Sequence, residues 1–359
     1  MASEEIRFFL PGPTYVTEDV RRAMTGPMIG HHSAVFKELY TSLTPRLQQV
    51  TRTAGDVMLA TSSATLVMES AILSTVRKDV LNLVCGAFSE RWHAICKMVG
   101  RQADRVSVSW GEAIDPELVR SALRRKRYEA VTLAHNETST GVINPLREIA
   151  EVVREESDAL VLVDAVSSLA GAPVEVDAWG LDVVLASSQK ALAVPPGLTV
   201  FTLSERAAEQ AAGVVNRGFY TDLLRYRDKH RAAGTITTPA LPIFYALDRQ
   251  LERIVAEGME ARWERHRELQ RLTARWAEAN GFVYASAEDA RSPTITCLEP
   301  PPGITSPDLV QALAKQGFTI GGGYGEWKPT TLRIGHMGEV RERDLEGLFR
   351  AIDEILGST

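Results

Sequence analysis

Hydrophobic and polar positions change rhythm along the 359-residue chain, and the changes divide it. From residue 56 to 203, short apolar runs alternate with amphipathic stretches. The runs at 57–60, 81–85, 105–108, 130–134, 160–163, 183–186 and 198–203 read as strands. Between them lie helical patterns such as the one opened by Asp115-Pro116, a capping residue followed by a first-turn proline. Strands that are near-continuous in apolar residues and alternate with helices predict an α/β fold, with a mostly parallel sheet covered on both faces.

The flanks read differently. Residues 1–16 form an irregular arm, because Pro11-Gly12-Pro13 forces an extended, turn-rich path. A helix is expected over 17–24 with Thr17 as its N-cap, ended by Gly26-Pro27. A longer one over 34–51 carries Pro45 as a kink or break. Residues 206–237 are mixed and polar, and a helix over 243–257 follows. A long charged helix from Met259 then opens a new stretch. It has strands at 282–285, 294–298, 318–320 and 331–334, a helix capped by Ser306-Pro307, and another over 341–356. That pattern predicts a compact α+β unit, an antiparallel sheet with helices on one face. The expected division is an arm (1–16), a large domain (17–258) and a smaller C-terminal domain (259–359), since the length is too great for one simple core.

Composition narrows the class. The chain is 45% hydrophobic and 24% charged, an ordinary balance for a soluble globular protein. Its net charge of −6 argues against a nucleic-acid partner and against an anionic membrane surface. The run Arg124-Arg125-Lys126-Arg127 reads as the solvated end of a helix, where cations suit the dipole. Three cysteines (Cys85, Cys96, Cys297) show neither metal-ligand spacing nor a disulfide framework, so no metal is expected. The N-terminus carries acids where a signal peptide carries bases, and no run reaches membrane-span length. The cytoplasm is the expected location.

Candidate chemistry concentrates in residues 160–190. One apolar strand there ends in Asp164; the next ends in Ser187-Ser188-Gln189 and then Lys190. Ligands of open parallel sheets sit beyond the carboxyl ends of the strands, so this spacing brings an acid and an amine to one crevice. Taken singly, Lys190 reads as a surface lysine in a polar loop and Asp164 as an N-cap. Together they match a cofactor with a basic ring nitrogen and a reactive aldehyde. Pyridoxal phosphate is such a cofactor, binding lysine as a Schiff base with an aspartate on its pyridinium nitrogen.

A phosphate site should accompany it. Thr61-Ser62-Ser63-Ala64-Thr65 follows the first strand and opens a helix, where free N–H groups suit a phosphate as well as they suit a plain cap. Phe88 follows the second strand and can stack on a flat ring or pack in the core. Thr138 can reach a ring oxygen or stabilise a turn. Arg333 suits a substrate carboxylate or an internal salt bridge. Gly321-Gly322-Gly323 reads as a permissive turn. No glycine-rich dinucleotide fingerprint or phosphate-binding loop occurs, which removes the nucleotide readings.

The stretch LVDAVSSLAGAPVEVDAWGLDVVLASSQKALAVPPG resembles the cofactor-lysine region of class V aminotransferases, nearest the alanine–glyoxylate / serine–pyruvate aminotransferase family. FFLPGPTYV, HNETSTGV and TTLRIGHMG match in order, so the resemblance spans nearly the whole chain. It implies a fold type I pyridoxal-phosphate enzyme, a homodimer with active sites at the subunit interface. It also implies that Lys190 is the Schiff-base lysine, Asp164 the partner of the ring nitrogen, and Val166 a residue packed on the ring. Ser63, Ala64, Thr65 and Gln189 would lie in the phosphate region, with Thr237 reaching the neighbouring subunit's phosphate. Thr138 would face the ring hydroxyl, while Gly12 and Arg333 are the expected substrate contacts. Phe88 stands where relatives often stack tryptophan, Ala64-Thr65 replaces Gly-His, and Gly234 replaces a tyrosine. His31-His32 falls in a loop expected near the substrate entrance.

The implied activity is transfer of an amino group from alanine or serine to glyoxylate or pyruvate by a ping-pong route, Lys190 moving the proton. A lyase such as a cysteine desulfurase would need a mobile nucleophilic cysteine, and none of the three lies in a suitable loop. A catalytically silent relative would have no use for both Lys190 and Asp164.

Overall fold

A computed structural model describes residues 6–357, so the first five residues of the expected arm lie outside the described residues. Seven strands form the larger sheet. In spatial order they are Val57–Thr61, Leu198–Thr202, Val183–Ser187, Leu160–Asp164, Ala130–Ala134, Asp79–Val84 and Gln102–Ser107. Leu198–Thr202 runs antiparallel to both neighbours; every other pairing is parallel.

The apolar runs are continuous because successive residues feed two cores. Val57, Leu81, Val131, Val161 and Val184 join one buried cluster. Met58, Val80, Ala130, Leu160 and Val183 join another. Side chains alternate across a strand, so a sheet covered on both faces needs apolar residues at every position. Full burial of each large side chain stabilises by about 1.5–3 kcal/mol. Gln102–Ser107 is the exception, a largely exposed strand at the sheet edge.

A second sheet of five strands has the order Phe8–Phe9, Thr319–Gly322, Leu332–Gly335, Ile295–Glu299 and Val283–Tyr284. Phe8–Phe9 pairs in parallel with Thr319 and Ile320, while the other pairs are antiparallel. The arm therefore contributes an edge strand, which a two-residue element with no measurable period could not announce. Phe9 is fully buried in the third core beside Leu309, Leu345 and Ile352.

Other local differences have simple causes. The 206–237 stretch holds two helices, Glu205–Ala212 and Leu223–Arg231, whose charged faces mask their period. Thr305, not Ser306, caps helix Ser306–Lys315, its hydroxyl accepting the Asp308 N–H at 3.3 Å. Thr17 stands at the N-cap of Glu18–Ala23 but spends its hydroxyl on Asp19 at 2.5 Å. Helix Ala34–Thr51 passes through Pro45 unbroken. Among the described residues no helix is long and apolar enough to cross a membrane.

Arg262, on helix Met259–Ala279, joins that helix to the larger sheet. Its side chain is fully buried and donates to the carbonyls of Ala170 (3.0 Å) and Ala191 (2.8 Å) and to Glu257 (2.7 Å) and Glu339 (3.0 Å). A buried guanidinium is tolerated only with its donors satisfied in this way. Ala191 directly follows Lys190, so the same network braces the lysine loop.

Candidate active site

Asp164 is the last residue of Leu160–Asp164, paired in register with Leu185 on the neighbouring strand whose continuation carries Lys190. Both side chains open into one cavity at the carboxyl end of the parallel strands. Asp164 is 6% exposed and accepts the Val166 N–H at 2.8 Å. Burial first, and the negative charge of Glu137 after it, raise its carboxyl to about 6, against the pull of the Val166 N–H, Lys190 and Arg91.

Lys190 is held from three sides. Its amine donates to the carbonyl of Pro11. Thr14 donates its hydroxyl to the Lys190 carbonyl at 2.9 Å and its N–H to the Gln189 carbonyl at 3.0 Å. Gly12, at φ +127°, passes so close that a Cβ there would run into the lysine side chain, so only glycine meets both demands. Burial and then the charge of Arg333 lower the amine to about 8, with Asp164 opposing. An amine at that level is partly unprotonated near neutral pH, as a nucleophile or base requires.

The phosphate region is the start of helix Ala64–Thr75. Ser63 occupies the N-cap position, yet its hydroxyl makes no capping bond, which leaves it and first-turn N–H groups for a ligand. Phe88 sits in the first turn of helix Ala87–Met98. That turn is anchored by Glu137, a fully buried carboxylate receiving the N–H groups of Phe88 (3.1 Å) and Ser89 (2.8 Å) and the hydroxyls of Ser89 (2.9 Å) and Ser139 (2.6 Å). Gly86 lets this happen, since a Cβ there would strike Glu137 and Ser139.

The cavity gathers Gly12, Ser63, Ala64, Thr65, Phe88, Thr138, Asp164, Val166, Gln189 and Lys190. Thr138 binds Ser167 through its hydroxyl at 2.5 Å. Arg333 stands just behind the lining. Its Nε donates to the Gly322 carbonyl (2.9 Å) and its Nη1 to the Thr138 carbonyl (3.2 Å), with the Tyr324 ring 5.3 Å beneath. Burial lowers its pKa, and the group remains a cation. Thr237 is exposed and outside this cavity. His31 and His32 pack on each other at 4.0 Å and also lie outside it.

Sequence reasoning missed Arg91, Asn136, Glu137 and Ser187. Arg91 follows Phe88 by three residues, one helical turn, and that spacing was the available signal. Glu137 gave none, because Phe88 and Ser89, the partners that tie it to the cavity wall, are nearly fifty residues away in the chain.

Pyridoxal phosphate fits these groups: donors at a helix start, a ring to stack, a carboxylate for the ring nitrogen and an amine for the aldehyde. Asn136 lines the cavity with a buried side-chain oxygen that has no partner among the described residues, as a ligand-facing group would. When bound, the cofactor supplies an aldehyde that carries amino groups and a cationic ring that withdraws electrons.

Comparisons with known proteins agree. The family model described as aminotransferase class-V matches residues 57–341. An uncharacterized aminotransferase of Methanocaldococcus jannaschii is 39% identical over 96% of this chain and 91% of its own. Serine–glyoxylate aminotransferase of Methylorubrum extorquens is 31% identical over 94% of this chain and 88% of its own. The crystal structure of alanine–glyoxylate aminotransferase from Nostoc sp. superposes with a TM-score of 0.92 at 30% identity, covering 99% of this chain and 96% of that one. The chain thus belongs to the class V aminotransferases, and its cofactor is pyridoxal phosphate.

Proposed function

We propose that this aminotransferase takes the amino group of a small amino acid, alanine or serine, and passes it to a small 2-oxo acid, glyoxylate or pyruvate, in two half-reactions. The observation that carries the reading is the placement of Arg333 behind the Lys190 and Asp164 pair. Two backbone carbonyls fix the guanidinium, leaving donors for a carboxylate, and its charge already acts on the lysine amine. The names of relatives that act on serine or alanine and glyoxylate support the substrate sizes.

Each residue has a defined task in this scheme. Arg333 binds the substrate carboxylate and so orients the bond to the α-hydrogen. Lys190 would hold the cofactor's aldehyde and, once free, would be the base that takes the proton from the substrate α-carbon and gives it back. Asp164 would pair with the ring nitrogen and keep it protonated. Phe88 and Val166, both lining the cavity, would pack on a flat ring held there and keep water from it.

A desulfurase reading fares worse. Cys85, Cys96 and Cys297 are all buried, and burial pushes their thiols up to about 12, 11 and 11, the reverse of what a nucleophile needs. We further propose a cytoplasmic homodimer in which Thr237 serves the neighbouring subunit's site, consistent with its exposure outside its own cavity.

The test is a half-reaction screen. Single amino acids are added to the loaded protein and loss of the visible cofactor band is followed. Alanine and serine should discharge it, and glyoxylate or pyruvate should restore it. Failure of both amino acids, with discharge by another, would overturn the substrate assignment alone.

A further inference from the structure

The phosphate of the cofactor carries about −1.5 to −2 charges near neutral pH, and an anion in a half-buried cavity needs a compensating cation. Among the described residues that line the cavity, only Lys190 and Arg91 are cationic. Lys190 is committed to the aldehyde end. That leaves Arg91.

Arg91 is poised for this role. Its Nη1 lies 3.4 Å from the Thr65 hydroxyl oxygen in the first turn of helix Ala64–Thr75, whose N-cap residue Ser63 lines the same cavity. As donor to Thr65, it leaves the Thr65 O–H free to donate onward. The guanidinium carbon stands 4.9 Å from the centre of the Phe88 ring, so the aromatic face fixes the group without spending its N–H donors. Among the described residues no carboxylate pairs with Arg91, although the protein pairs most of its arginines. A half-buried cation lining a ligand cavity, with no carboxylate in ion-pair contact and Asp164 acting on it only at longer range, is placed to receive an anionic ligand.

We propose that Arg91 binds the cofactor phosphate, acting with Ser63 and Thr65 as the cationic member of the phosphate site. The proposal rests on the cofactor assignment above. It adds a residue to the site, and with it a reason for the cofactor's phosphorylated form to be preferred over the bare aldehyde.

The experiment compares two ligands that differ only in the phosphate. Apo wild type, Arg91→Met and Arg91→Lys are titrated with pyridoxal phosphate and with pyridoxal, followed by quenching of tryptophan fluorescence. Thermal melting of each apo-protein checks the fold. Arg91→Met should bind pyridoxal phosphate about 10- to 100-fold more weakly and pyridoxal almost unchanged, the range expected for one charge-assisted contact. Arg91→Lys should recover part of the loss. Equal loss for both ligands would overturn the proposal, because Arg91 would then act only by packing on Phe88. No loss for either would overturn it too. A wild-type protein that held the two ligands alike would overturn it one level down, by removing the phosphate site on which it rests.

Discussion

Glu137 receives the backbone N–H of Phe88 at 3.1 and 3.2 Å through its two carboxylate oxygens. A buried carboxylate thereby fixes the ring on the wall of the cavity from behind, at the positive end of a helix, where negative charge is favoured. Glu137→Ala strips several buried donors of their acceptor at once and should cost about 2–4 kcal/mol of stability. Glu137→Gln sets an amide donor against N–H and O–H donors and should recover only part of that. Urea denaturation of the apo-proteins measures the stability, and the affinity for pyridoxal phosphate reports whether Phe88 has moved. An Ala variant as stable as wild type would refute the anchoring role.

Asp164 carries a cost in the apo-protein that, on the function proposed above, the bound cofactor would remove. In the apo-protein its carboxyl sits near 6, above the unfolded value of about 4. Between those limits the folded state holds a proton that the unfolded chain has released. The stability from this group is therefore present below about pH 4 and is lost as pH rises through 6. Apo Asp164→Asn should be more stable than apo wild type by about 1–3 kcal/mol at pH 7.5. The two should converge near pH 4, while the Asn variant binds the cofactor more weakly. Denaturation at both pH values decides it; an offset that does not change with pH would remove titration as its cause.

Lys190 gives a kinetic counterpart. Only the neutral amine attacks an aldehyde, and burial followed by the Arg333 charge brings this amine down to about 8. Uptake of pyridoxal phosphate by the apo-protein should accelerate with pH about a midpoint near 8. In Arg333→Met the midpoint should move upward, because a positive neighbour has gone. A midpoint near 10, the value of a free lysine, would show that neither burial nor Arg333 acts on it.

The large sheet is legible in the sequence because a strand covered on both faces writes its burial into consecutive residues, as at Leu160 to Val163. Asp164 and Lys190 stand out for a related reason, as polar residues ending apolar runs where such sheets bind ligands. Phe8–Phe9 is not legible: its partner strand lies some 310 residues further on, and two residues carry no period. Glu137 and Arg91 are hidden differently. Each is an ordinary charged residue in its own segment: Glu137 acquires meaning from Phe88 and Ser89, and Arg91 from Thr65, brought beside it by the fold, the spacing of Arg91 from Phe88 being its one local trace. Local pattern encodes what a strand or helix buries; it does not encode which distant donors meet one carboxylate.

Arg333 differs from a lysine in the way its site is built. Nε and Nη1 are fixed on the carbonyls of Gly322 and Thr138, which leaves Nη2 without a hydrogen-bond partner among the described residues and available to the carboxylate of the proposed substrate. A lysine offers three donors from one nitrogen on a flexible stem and cannot hold both carbonyls while presenting a fork. Arg333→Lys should therefore raise the KM for alanine or serine by about 10- to 100-fold, with a smaller fall in kcat. The discriminating measurement uses an amine of similar size without a carboxylate as the donor in the half-reaction. Its rate should be low in both proteins and nearly the same. A variant that loses equally on the amino acid and on the plain amine would mean that Arg333 acts by tuning Lys190, or by bracing Thr138 and Gly322, and does not grip the substrate.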